Sequence, residues 1–175
     1  MKLNISDRDP AFSIAEDGLL CQARLAQQWC GARADIGVLN GMLRNVCAVS
    51  DYVVGAVYYE VTVVDEGLCR IGWSTTAAKL DLGTDQYGFG FGGTGKKSNN
   101  RKFEDYGEPY GKGDTVGSLY DTKTGIISFT KNGMNAYIKH NETECARQTL
   151  RSCFHCSGSS CSTRPVSCYC RQSMK

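Results

Sequence analysis

Val57-Tyr58-Tyr59-Glu60-Val61-Thr62-Val63-Val64, then Asp65-Glu66-Gly67, then Leu68-Cys69-Arg70-Ile71-Gly72-Trp73-Ser74 is the stretch whose reading decides the fold. β-Branched and aromatic residues fill both arms, and Asp65-Glu66-Gly67 reads as the turn of a hairpin. Alternation puts Tyr59, Val61 and Val63 on one face and Glu60 and Thr62 on the other, so one side packs on a core and the other meets water. A second hairpin is written in Thr115 to Asp121 and Ile126 to Gly133, around Thr122-Lys123-Thr124-Gly125. Asn132-Gly133 is a tight-turn signal, because both residues tolerate the positive φ of a type I′ turn, and another strand is expected from Met134. Gln86-Tyr87-Gly88-Phe89-Gly90-Phe91 alternates aromatic and glycine, as suits a strand that another backbone approaches closely. Upstream, Ala11 to Ile14 and Gly18 to Arg24 read as short strands, Leu25 to Gln28 as a possible short helix, and Trp29 with Ala32-Arg33-Ala34 as the lead into a further strand. Helical periodicity is scarce, so the expected class is all-β, a twisted antiparallel two-sheet sandwich.

The bulk properties narrow the function. A chain of 175 residues suits one domain with a proper core. A net charge of +2 does not advertise nucleic-acid binding over the whole surface, so any such role must come from a local patch. There is no run of apolar residues long enough to span a membrane, and Met1 to Pro10 is too charged for a signal peptide; the expectation is an intracellular protein, nuclear and/or cytoplasmic, acting as a monomer with no membrane contact. Of ten cysteines, Cys21, Cys30, Cys47 and Cys69 are scattered in apolar stretches as small hydrophobes, while the rest crowd between Cys145 and Cys170.

Tyr58-Tyr59-Glu60-Val61, Gly72-Trp73-Ser74-Thr75, and Asp121 through Gly125 to Ser128-Phe129-Thr130-Lys131-Asn132-Gly133 resemble the three sequence blocks of SPRY domains. Asp7-Arg8-Asp9-Pro10-Ala11-Phe12, Asp17 to Gln22, Gly67-Leu68-Cys69-Arg70, Leu80 to Asp85 and Gly88 to Ser98 further resemble the SPRY insert in the first RecA-like domain of a DEAD-box RNA helicase. The similarity covers most of residues 5–37 and 57–135. It implies a non-catalytic module that docks protein partners through loops at one rim of a sandwich, in a family whose full-length members remodel RNA with ATP through other domains. Two segments depart from the pattern: Met42 to Ala56 intervene before the first hairpin, and after Asn135 a Cys- and Ser-rich tail stands where closing strands are expected. The expected organisation is therefore a SPRY-like domain over 5–140 with an atypical insert at about 42–56, missing C-terminal strands, and a disordered tail over 141–175. Both segments are read as products of altered splicing, reading frame or gene assignment rather than of selected structure.

Gly90-Phe91-Gly92-Gly93-Thr94-Gly95-Lys96-Lys97 matches a phosphate-cradling loop until its last position, where Lys97 replaces the hydroxyl that would hold Mg²⁺. Residues 99–107 read as loop rather than the helix such a site needs, so a glycine-rich turn is expected and no cofactor. Cys153-x-x-Cys156 with His155, Cys161, Cys168 and Cys170 lacks a second pair spaced like the first, so no metal site is expected. His140 and His155 lie in or beside the doubtful tail, and no catalytic residue is assigned. What remains is a loop, Thr94 to Lys112, where Lys96, Lys97, Arg101, Lys102 and Lys112 lie among Phe103, Tyr106 and Tyr110. Glu104, Asp105 and Glu108 cancel part of its field. A solvated loop is the plainest reading of this stretch; cations beside aromatics could also contact phosphates and stack on unpaired RNA bases, and the SPRY resemblance implies docking of a protein partner ahead of RNA.

Overall fold

Alternating side chains organise every regular element. The computed structural model describes residues 2–24, 28–39, 42–45, 52–53, 55–140, 150–157 and 160–164, and among these each regular element is a strand. In chain order they are β1 (Leu3–Arg8), β2 (Phe12–Ile14), β3 (Leu20–Ala23), β4 (Cys30–Leu39), β5 (Met42–Asn45), β6 (Tyr52–Val53), β7 (Ala56–Val63), β8 (Leu68–Thr75), β9 (Gly88–Gly92), β10 (Lys96–Asn99), β11 (Lys102–Asp105), β12 (Thr115–Asp121), β13 (Ile127–Lys131), β14 (Met134–His140), β15 (Leu150–Ser157) and β16 (Ser160–Arg164). One sheet runs β11-β10-β9-β8-β15-β4-β5-β6, with β1 also paired to β4; the other runs β14-β13-β12-β7-β16-β3-β2. The expected all-β sandwich is what forms.

The strand that decided the reading behaves as its alternation requires: Val57, Tyr59, Val61 and Val63 of β7 are buried and the residues between them are not. They meet Ile71 and Trp73 of β8 and Phe89 and Phe91 of β9 in one core. The Trp73 ring stands edge-on to Tyr59 at 5.3 Å and tilted to Tyr120 at 5.6 Å. Both polar tips are satisfied: Trp73 Nε1 donates to Ser118 Oγ at 2.9 Å, and Tyr59 Oη donates to the Gly72 carbonyl at 2.7 Å. Gly72 itself is required, since a methyl group there would run into the Phe89 carbonyl of the neighbouring strand. The β13–β14 turn has the expected positive φ at Asn132 (51°) and Gly133 (77°).

The expectation of missing closing strands is overturned. β15 pairs antiparallel with both β8 and β4, and β16 with both β7 and β3, so the segment read as tail contributes an interior strand to each sheet. Its composition hid this. A strand paired on both sides draws its stability from two ladders of backbone bonds, and Ser, Cys and Thr satisfy that role without an obvious apolar alternation. Residues 141–149, 158–159 and 165–175 lie outside the described residues. Within the stretch 42–56, β5 and β6 extend the edge of the first sheet beyond β4, while 46–51 and 54 lie outside the described residues. The short helix considered at Leu25 to Gln28 also falls largely outside, at 25–27.

On the outer face of the first sheet, one guanidinium ties three elements together. Arg33 of β4, 4% exposed, donates from Nη1 to Asp7 Oδ1 of β1 at 2.6 Å, from Nε to Ser74 Oγ of β8 at 3.1 Å, and from Nη2 to the Ala78 carbonyl. Ala78 lies in the β8–β9 connection, in which Leu82 is completely buried. Cys153 of β15 is buried at the same place, its thiol pushed up to about 11 by burial although Arg33 and Ser74 favour the thiolate.

Candidate functional site

The phosphate-loop look-alike is a β-hairpin. Gly90 to Gly92 belong to β9, Gly93 to Gly95 make the turn, and Lys96 opens β10, so a strand follows where a helix would be needed. Residues 96–105, read as loop, form a second hairpin, β10–β11, in register Lys96 with Asp105, Lys97 with Glu104 and Asn99 with Lys102. Its tip is Asn100-Arg101, both at positive φ (49° and 61°), held by backbone bonds from Asn100 N to Asp85 O at 2.9 Å and Arg101 N to Gly83 O at 3.0 Å.

This register decides the fate of the expected surface. Lys96 Nζ pairs with Asp105 at 2.7 Å and Lys97 Nζ with Glu104 at 3.0 Å, each cation facing its cross-strand carboxylate. The Lys96 ammonium holds the Asp105 carboxyl below its usual range. Lys112 stands apart, 3.7 Å from Glu66. Arg101, Lys102 and Phe103 are exposed on the hairpin. Tyr106 and Tyr110 are not surface residues, which corrects the expectation: they are 5% and 6% exposed, with ring centroids 5.3 and 5.0 Å from that of Phe91. The cause is the chain's return after β11. Tyr106 N and Gly107 N both donate to Gly95 O, and Tyr110 N to Gly93 O, which draws the rings under the β9–β10 turn. Their hydroxyls are consumed there: Tyr110 Oη bonds to the Phe91 carbonyl at 2.7 Å and the Cys69 carbonyl at 3.0 Å, and Phe129 N donates to Tyr106 Oη at 3.2 Å.

What the hairpin does build is a pocket of about 60 Å³ at one end of the first sheet, lined by Trp29, Leu68, Arg70, Thr94, Lys96 and Phe103 among others. The Arg70 guanidinium lies 4.4 Å from the Trp29 ring centroid and 5.2 Å from that of Phe103. Its Nη1 donates to the Leu82 carbonyl at 3.2 Å and reaches Asp81 Oδ1 at 3.4 Å. Burial lowers the Arg70 pKa, against the pull of Asp81, and burial raises that of Asp81 despite Arg70. Trp29, Leu68 and Arg70 were not among the expected site residues. The signal for Arg70 is its register partner: it lies opposite Gly92, which leaves room for its stem, 3.6 Å from where a methyl group on that glycine would sit. Cys153 and Cys156 both lie on β15, so the Cys-x-x-Cys spacing belongs to a strand, and Cys161 lies on β16 of the other sheet; among the described residues no group of three or more His, Cys, Asp or Glu side chains is placed to hold a metal ion.

A family model for the SPRY domain matches residues 56–167, a span that takes in the three sequence blocks and both closing strands. The chain belongs to the SPRY domain family. It is 52% identical over 133 residues to the ATP-dependent RNA helicase Ddx1 of Drosophila melanogaster and 48% identical over 132 residues to that of Xenopus laevis. These matches take in 76% and 75% of this chain but 16% of each helicase, the part that corresponds to its SPRY insert. A human heterogeneous nuclear ribonucleoprotein U-like protein 2 is 34% identical over 139 residues, 76% of this chain and 18% of that protein. The solved SPRY domain of human HERC1 superposes with a TM-score of 0.67 at 15% identity, over 99% of both chains, which speaks for the fold alone. SPRY domains generally mediate protein interaction, and among the described residues no helix is long and apolar enough to cross a membrane.

Proposed function

We propose that this SPRY domain is a non-catalytic docking module that receives a protein partner at the end of the first sheet, on the β10–β11 hairpin and the pocket beside it. The observation that supports it is the convergence there of Trp29, Leu68, Arg70 and Phe103, exposed or half-buried apolar and cationic groups from three separate parts of the chain. Direct RNA contact is the second reading, carried by Arg101, Lys102 and Phe103 at the hairpin. It ranks lower because Lys96 and Lys97 are each committed to a carboxylate. Within a longer helicase such a module would guide ATP-driven remodelling without performing it, inside the nucleus or cytoplasm. The test is affinity capture from a nuclease-treated extract with lysine cross-linking. Partners that survive nuclease and cross-link through Lys96, Lys97, Lys102 or Lys112 support docking. Capture that vanishes with nuclease, or ATP-dependent unwinding by the isolated chain, overturns it.

A further inference from the structure

We infer that the pocket recognises a carboxylate on the partner, so that the docked segment is an acidic peptide whose Asp or Glu forks onto Arg70 while apolar neighbours lie on Leu68 and Phe103. This rests on the docking reading above and adds the chemistry of the ligand. Arg70 uses only Nη1 for its hydrogen bonds to Leu82 and Asp81; among the described residues, Nε and Nη2 make none. Those two nitrogens form one edge of the guanidinium, and their parallel N–H groups match the two oxygens of a carboxylate. The guanidinium is already held by contact with the Trp29 and Phe103 rings and by the Leu82 carbonyl, so little side-chain freedom is left to lose on binding. With its side chain only 18% exposed, Arg70 offers a cation that is partly desolvated before the ligand arrives. The pocket also offers exposed apolar surface: Leu68 is 46% and Phe103 47% exposed, and both line it with the cation.

A phosphodiester is also an anion, yet a nucleic-acid strand needs a row of uncommitted cations along its path. Here Asp81, Asp105 and Glu104 stand beside Arg70, Lys96 and Lys97 in turn. A single carboxylate needs only one cation, and it can take the Nε–Nη2 edge of Arg70 while Asp81 and the Leu82 carbonyl keep Nη1.

The experiment titrates the full chain with a short peptide carrying one Glu between two Leu residues, with its Gln counterpart, and with a short oligouridine. Tryptophan fluorescence is a usable readout, because Trp73 is wholly buried and Trp29 is at the pocket. The Glu peptide is expected to bind about tenfold or more tightly than the Gln peptide, as a buried charge-assisted fork requires. Arg70→Gln should erase that difference, Arg70→Lys should recover part of it, and Lys123→Ala on the other sheet should leave it intact. Should Arg70→Gln fail to fold, Phe103→Ala, at an exposed site, must weaken both peptides together. Equal binding of the two peptides, no binding of either, or oligouridine outcompeting the Glu peptide overturns the inference. If partners are nonetheless captured and cross-link at the hairpin, the inference alone fails; if none are captured, the docking reading fails with it.

Discussion

Replacing Asp7 with alanine strands a buried cation. Arg33 is 5% exposed at its side chain and Asp7 is its one ion-pair partner among the described residues, at 2.6 Å; the remaining bonds, to Ser74 Oγ and the Ala78 carbonyl, offer dipoles but no charge. Breaking a fully buried pair in this way costs about 3–5 kcal/mol. Asp7 is 27% exposed, so water can take its place in part, and the expected cost falls to about 2–3 kcal/mol. For a domain of this size that lowers Tm by roughly 5–10 °C. Adding Arg33→Met removes the stranded charge and fills most of its volume, so the double variant should be more stable than Asp7→Ala by about 1 kcal/mol or more. Urea unfolding followed by circular dichroism, with Asp7→Ala, Arg33→Met and the double variant measured at one pH, gives the comparison. Costs that simply add, or an Asp7→Ala penalty below about 0.5 kcal/mol, would refute the idea that Arg33 is the tie between β1, β4 and the β8–β9 connection. The tie has a functional side, since that connection supplies the Leu82 carbonyl that orients Arg70.

Cys21, Cys30, Cys69 and Cys153 are buried, and the Cys153 thiol is pushed up to about 11, so maleimide at pH 8 should label these four only when the domain unfolds; peptide-level labelling of Cys153 in native protein would contradict the packing. The Gly111 amide and then the Asn132 side chain hold the Asp114 carboxyl below its ordinary 3.8, so its contribution is present above that pH and is lost as pH falls through the lower folded value; the urea midpoint should drop below about pH 4, and less steeply in Asp114→Asn. Tyr106→Phe leaves the Phe129 amide without its 3.2 Å acceptor inside the core and should cost about 1–3 kcal/mol, whereas a surface tyrosine would cost almost nothing.

Where side chains alternate under a tight turn, the chain could be read directly. β7, β8, β12 and β13 fall within a residue or so of their expected limits, because Tyr59, Val61 and Val63 can share a face only as a strand and Asn132-Gly133 can only turn. β10 and β11 were hidden because Asn100-Arg101 is an unusual pair for a type I′ turn, its second residue carrying a Cβ at positive φ. β15 and β16 were hidden for a different reason: their pairing is entirely long-range, and nothing local in Ser152-Cys153 or Ser160-Cys161-Ser162 announces neighbours more than seventy residues away along the chain. The same limit applies to the pocket. Lys96 and Phe103 could be named from local composition, but Trp29 and Arg70 join them only through the order of strands in the first sheet. Tyr106 and Tyr110 failed as surface residues because a tyrosine beside glycines and charges looks exposed until its hydroxyl is seen to find a carbonyl or an amide inside.

Amide hydrogen exchange across Leu150–Ser157 is the most direct probe of the sandwich as described, for this strand lies between β8 and β4 and joins the two halves of the first sheet. Its amides should exchange as slowly as those of Leu68–Thr75, through global unfolding. Exchange at the rate of an unfolded chain while Leu68–Thr75 stays protected would contradict the closed sheet, and with it the frame that holds Arg70 in place.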